Sequence, residues 1–140
     1  MTRQELFAFL TSHPTFFLAT VEGGKPHVRG LLLYRADVNG IVFHTGKIKD
    51  LHKQLTNDPS VEMCFTNNDL NNLVQVRVSG NAQLVEDITL KKEIVSKREF
   101  LKPWVEQAGY DPLAVYRIVH GVAVTWTFAA NLSPKEPVNL

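Results

Sequence analysis

The sequence contains a single cysteine, Cys64. One cysteine excludes an intrachain disulfide, and together with five scattered histidines it leaves no spacing that reads as a zinc site. A reactive thiol needs a neighbouring base and some exposure. Cys64 instead lies in the apolar run Val61-Glu62-Met63-Cys64-Phe65 and reads as a buried strand residue. No apolar run approaches membrane-spanning length, and Met1-Thr2-Arg3-Gln4-Glu5-Leu6 has no apolar signal core, so the expected location is cytoplasmic. An excess of one charge is also missing. The formal net charge of +1 gives no general reason to expect nucleic acid or an acidic membrane surface as partner. No Walker or dinucleotide glycine pattern is present, no Ser-His-Asp or paired-carboxylate spacing can be argued, and no catalytic residue can be named. Repeats, low-complexity segments and strict βαβ alternation are absent as well, and the last absence argues against a doubly wound parallel sheet.

What is present suffices for one domain spanning residues 1–140. The composition is 44% hydrophobic and 21% charged, which is globular. Thr2 to Ser12 predicts a helix, with Thr2 as N-cap and Glu5 as its capping-box partner. Strands are expected over Thr15–Val21, Pro26–Tyr34, Gly40–Thr45, Ser60–Thr66, Leu73–Glu86, Leu113–Val119 and Val122–Phe128. Glu22-Gly23-Gly24-Lys25 is a hairpin turn signal, and Gly80 suggests a bulge in its long strand. Lys49–Asn57 has helical spacing, with Leu51 and Leu55 on one face. Asp87–Trp104 reads as one helix, lined by Ile88, Ile94, Val95 and Leu101, with Lys97 and Arg98 on a solvated face. Gln107–Pro112 is read as a loop, and Asn131–Leu140 as a polar, proline-containing tail. These strands, with short turns and inserted helices, predict an antiparallel barrel plus helices.

One block carries most of the functional information. The strand Pro26-His27-Val28-Arg29-Gly30-Leu31-Leu32-Leu33-Tyr34 is followed, after a turn, by Ile41-Val42-Phe43-His44-Thr45-Gly46-Lys47-Ile48-Lys49-Asp50. Thr45 ends a strand, two lysines follow, and a helix begins at once. Free N–H groups and the helix dipole at such a point favour an anion. Arg29, mid-strand among apolar neighbours, needs either a partner or a route to water.

The same residues resemble the pyridoxamine 5'-phosphate oxidase-like split-barrel family. The points of likeness are Arg29 with Leu31-Leu32-Leu33, the strand end Phe43-His44-Thr45, the basic loop with Lys47 and Lys49, Asn57-Asp58-Pro59, and Gln75-Val76-Arg77-Val78-Ser79-Gly80. The resemblance implies a mainly β fold with helices, an antiparallel split β-barrel, and FMN as cofactor. It implies that Arg29 and Lys49 bind the FMN phosphate with Lys47 in support, and that backbone around Gly30 and Leu31 runs beside the isoalloxazine ring. It further implies that His44 and Thr45 touch the cofactor, and that Gln75 reaches the ring across the interface of a homodimer. Trp126 reads as a core or dimer-contact aromatic or, by analogy, as a residue flanking the ring. Tyr34 stands where the oxidase has a lysine, and the oxidase's C-terminal substrate segment is missing. The expected function is therefore an FMN-dependent oxidoreductase or flavin reductase, with a nicotinamide or small-molecule co-substrate, rather than the oxidase itself. The alternatives are a non-catalytic or stress-related flavin-binding module, or the same barrel holding haem or the deazaflavin F420. His44 and His120 are the only candidate haem ligands.

Overall fold

The computed structural model describes residues 1–140. Helix α1 (Arg3–Ser12) opens with the expected capping box: the Glu5 N–H donates to Thr2 Oγ1 (3.2 Å) and the Thr2 N–H donates to Glu5 Oε2 (2.6 Å). Strands β1 (Thr15–Glu22) and β2 (Lys25–Leu32) form a hairpin whose turn needs positive φ at Gly23 and Gly24. There follow β3 (Arg35–Asp37), β4 (Gly40–Gly46), α2 (Asp50–Asn57), β5 (Ser60–Thr66) and β6 (Val74–Val85). Next come α3 (Ile88–Lys97), a 3₁₀ turn (Glu99–Leu101), α4 (Lys102–Ala108), β7 (Leu113–Ile118), β8 (Val122–Thr127) and β9 (Val138–Asn139).

All pairings are antiparallel. The order β2-β1-β5-β6-β7-β4-β3 leaves the sheet open, with β8 pairing β6 and β9 pairing β8. Inward residues alternate along the strands: Phe16, Leu18 and Thr20 on β1, Met63 and Phe65 on β5, Val76 and Val78 on β6. Phe16 stacks on Phe65 (4.9 Å between centroids) and meets Phe43 edge-on (5.9 Å), which fixes the centre of the main core. A smaller core lies behind β4 and β7, where Val42 and Val115 meet Leu90, Ile94, Val95 and Leu101.

Several expectations need correction. The 87–104 segment is not one helix. Asp87 caps α3 through Thr89 and Leu90, as expected, but the helix stops at Arg98 (φ −123°, ψ 85°). Pro103 then falls in the first turn of α4, where its missing N–H costs nothing. Leu90 takes the buried place expected of Ile88, which is exposed. Helix α4 runs into the expected loop and ends at Gly109 (φ 77°). The tail contributes β9, and β3 is an additional short strand. Gly80 marks no bulge, since pairing with β5 runs unbroken from Ser60↔Asn81 to Thr66↔Gln75. Glycine is required there because a Cβ would lie 2.7 Å from Ile118 Cγ2.

Candidate functional site

A cavity of about 930 Å3 opens where the ends of β1, β2 and β4 meet the arm formed by the 3₁₀ turn and α4. This is at the upper end of the usual range for small-molecule sites. Its apolar walls include Phe17, Leu31, Ile48, Phe100, Leu101 and Trp104. Ile48, Phe100 and Trp104 are 97%, 60% and 65% exposed, so large apolar surface faces the opening. The polar groups are Thr15, Thr45, Thr66, Asn68, Gln107, His44, Lys49 and Arg98, and no carboxylate lines the cavity.

Strand β4 places its last residues on opposite faces. Thr45 follows the inward direction of Phe43 and is only 6% exposed, yet its Oγ1 is buried without a hydrogen-bond partner. Lys49 is the N-cap of α2, its side chain caps nothing, and its ammonium has no carboxylate within ion-pair distance. His44 turns to the other face and meets Arg98, whose Nη1 donates to His44 Nε2 (2.6 Å). Acceptance at Nε2 places the proton of neutral His44 on Nδ1. Burial, reinforced by Arg98 and Lys49, pushes the imidazole pKa down to about 4. Arg98 also donates from Nη2 to the Leu33 carbonyl (2.5 Å), and its guanidinium carbon lies 5.3 Å from the Tyr34 ring centroid. Burial lowers its pKa, and no carboxylate compensates its charge. Arg98 thus faces the cavity rather than forming, with Lys97, a solvated helix face.

The other sequence-derived candidates lie in different places. Gly30, Leu31, His44, Thr45 and Lys49 line the cavity together. Arg29 lies beside it, bound to buried groups: Nη1 donates to Thr20 Oγ1 (2.8 Å) and the Leu18 carbonyl (3.3 Å), and Nη2 donates to Gln54 Oε1 on α2. Thr20 donates to the same Gln54 oxygen (2.6 Å). Lys47 is held outside by Glu86 (3.0 Å) and Asp111 (3.4 Å), which raise its pKa. Gln75 and Trp126 are register partners on β6 and β8 and do not line this cavity, although Gln75 pairs with Thr66, which does; Trp126 Nε1 donates to Asn131 Oδ1 (2.8 Å). Both lie on the outward sheet face that also carries Val28, Gly30 and Phe17.

Sequence reasoning missed Arg98, Phe100 and Trp104. Pro103, which cannot sit inside the helix expected over 87–104, signals a break there, but not which side chains then line the cavity.

An open antiparallel sheet wrapped around its main core, with a carboxylate-free cavity at its strand ends lined by Lys49 and Arg98, defines a split-barrel protein. The profile of the family described as pyridoxamine 5'-phosphate oxidase matches residues 2–123, and the chain belongs to that family. Solved structures with the same fold include a NimC/NimA family protein from Clostridium acetobutylicum (21% identity, 98% of this chain and 92% of that one, TM-score 0.77). General Stress Protein 26 from Bacillus anthracis str. Sterne is also similar (19% identity, 98% and 97%, TM-score 0.74). So is a FAD-binding protein from Mesorhizobium loti (18% identity, 84% and 88%, TM-score 0.64). No curated protein matches the sequence. No helix is long and apolar enough to cross a membrane.

Proposed function

We propose that the chain is an FMN-binding flavoprotein acting as a small oxidoreductase or flavin reductase. The observation that carries this reading is that the buried, unpartnered Thr45 hydroxyl and the unpaired Lys49 line one cavity without carboxylates. A buried polar group left unsatisfied costs free energy, and a phosphate monoester would satisfy both groups at once. The apolar walls and the open backbone at Gly30 suit a planar ring system. Family membership and the FAD-binding neighbour add support for a flavin. Thr45 and Lys49 would hold the phosphate, with Arg29 and Lys47 close behind, and Gly30, Leu31 and His44 would border the ring. Bound flavin would supply two-electron transfer, and the protein's part is to bind, orient and shield it.

The homodimer belongs to the same proposal. Phe17, Val28 and Leu32 are 55%, 69% and 40% exposed on one continuous sheet face, an apolar patch suited to a second copy. Gln75 and Trp126 share that face and would approach the ring of the opposite protomer. Haem is disfavoured at His44, because Arg98 occupies its Nε2 lone pair.

Titration of apo-protein with FMN, FAD and riboflavin tests the reading, with FMN expected to bind tightest. Equal affinity for FMN and riboflavin would remove the phosphate assignment. Rapid anaerobic reduction by NADH or NADPH would then mark a reductase, and reduction by dithionite alone would mark a binding module.

A further inference from the structure

We propose that the Arg98 end of the cavity is a second subsite, which takes the carboxylate of a ring-bearing, singly charged organic acid. As the flavin's reaction partner this acid rests on the flavin reading, but as a ligand it does not.

Arg98 is the one guanidinium lining the cavity; it donates to neutral acceptors, the Leu33 carbonyl and His44 Nε2, and has no carboxylate partner. Its remaining N–H groups have no protein acceptor. A half-buried cation in this state is stabilised by an anion from outside, and the planar guanidinium fork matches a carboxylate. His44 holds the fork in place. It is kept neutral by burial and by the cations on both sides of it, so its lone pair stays available to Arg98.

The surroundings favour one negative charge over two. Tyr34, which stacks under Arg98, donates its hydroxyl to Glu93 (2.5 Å), and burial with that contact holds its pKa up at about 12. Tyr34 therefore supplies no free donor, Glu93 behind it is already paired with Arg35 (3.6 Å), and Arg98 is left as the single cation at this end of the cavity. The only other cavity cation, Lys49, stands at the Thr45 end. The walls choose the rest of the ligand. Phe100 and Trp104, both largely exposed, come from the same arm as Arg98 and offer ring faces to an apolar or aromatic body.

Calorimetric titration of the full chain, as apo-protein and after incubation with FMN, tests the subsite with benzoate, benzamide and phenyl phosphate as probes. Benzoate should bind at least about tenfold more tightly than its neutral isostere benzamide, and no more weakly than phenyl phosphate. Arg98→Met should abolish the preference for benzoate over benzamide while changing FMN affinity less than about threefold. Arg98→Lys should retain part of the preference. If Arg98→Met fails to fold, the wild-type ligand series and Arg98→Lys decide. Equal binding of benzoate and benzamide overturns the proposal. So does phenyl phosphate binding more than about tenfold tighter than benzoate, or an FMN loss in Arg98→Met as large as the benzoate loss. If FMN fails to bind wild-type protein while the benzoate preference persists, the flavin reading falls and the carboxylate subsite stands.

Discussion

Thr45→Val should make the apo-protein more stable and the FMN complex weaker. The Thr45 side chain is buried, and its Oγ1 has no hydrogen-bond partner. Leaving such a group unsatisfied costs about 1–3 kcal/mol, and valine fills nearly the same space with a methyl. Valine also suits the strand position at the end of β4. For a domain of this size each kcal/mol moves Tm by about 3–4 °C, so the apo melting temperature should rise by about 3–12 °C. Binding should move the other way. A hydrogen bond to a charged phosphate oxygen contributes about 1.5–3 kcal/mol, a loss of about 10- to 150-fold in FMN affinity. Riboflavin, which lacks the phosphate, should lose far less. Differential scanning calorimetry of apo-protein and fluorescence titration with both flavins measure the two effects separately. A lower Tm in the apo variant would mean that the hydroxyl already has a partner, and an unchanged FMN-to-riboflavin ratio would place the phosphate elsewhere.

Lys49→Met should also reduce FMN affinity selectively, by about tenfold or more, because the ammonium has no protein partner to release. Arg29→Met should act on stability first: it removes donors from Gln54, Thr20 and the Leu18 carbonyl, and should lower the unfolding free energy by about 1–3 kcal/mol in urea titrations. Gln54→Ala should reproduce most of that loss, and the double variant should be less than additive; full additivity would break the network. Light scattering at micromolar concentration should give about twice 15.8 kDa, and a persistently monomeric FMN complex would contradict a shared site. His44 should give stability a pH dependence. Its folded pKa of about 4 lies below the ordinary value of 6.5, so between these values the unfolded chain takes up a proton that the folded chain refuses. Stability should therefore fall as pH drops from about 6.5 toward 4, by at most about 1.4 kcal/mol per unit. His44→Gln, which keeps an acceptor for Arg98, should remove that slope from urea midpoints measured between pH 7 and 4.5.

The elements that were legible in the sequence are those whose signal is local. Thr2 and Glu5 cap α1, the Gly23-Gly24 pair turns the first hairpin, and Leu51 with Leu55 marks the buried face of α2. Alternation marked β6, where Val76 and Val78 are buried and Arg77 and Ser79 exposed, and turn residues bounded other strands. Family resemblance joined Gly30, Leu31, His44, Thr45 and Lys49 into one set, and these residues do line one cavity. Arg29 and Lys47 show the limit of that reasoning. A basic residue in a strand or loop can find its partners anywhere in the fold, and these two found Gln54 and Glu86. Gly80 shows the same limit: its meaning lies in Ile118, distant in sequence and adjacent in space.

The arm from Arg98 to Ala108 was misread for a related reason, and it is where the chain departs most from what a resemblance can supply. Periodicity over 87–104 is compatible with a helix, and charge at Lys97 and Arg98 is compatible with solvent. What decides otherwise is tertiary: Leu101 buries itself against Val42 and Val115, and Arg98 ties to Leu33 and His44. Those contacts stop the helix at Arg98 and turn Phe100 and Trp104 toward the cavity. The Thr45 end, where we propose the phosphate, therefore rests on strands and a helix start that the sequence announces. The opposite end rests on an arm held by contacts across the fold, so its specificity is set by residues whose local pattern is silent about their role. Substitutions at Arg98, Phe100 and Trp104 should accordingly change which second ligand binds before they change how tightly the flavin is held.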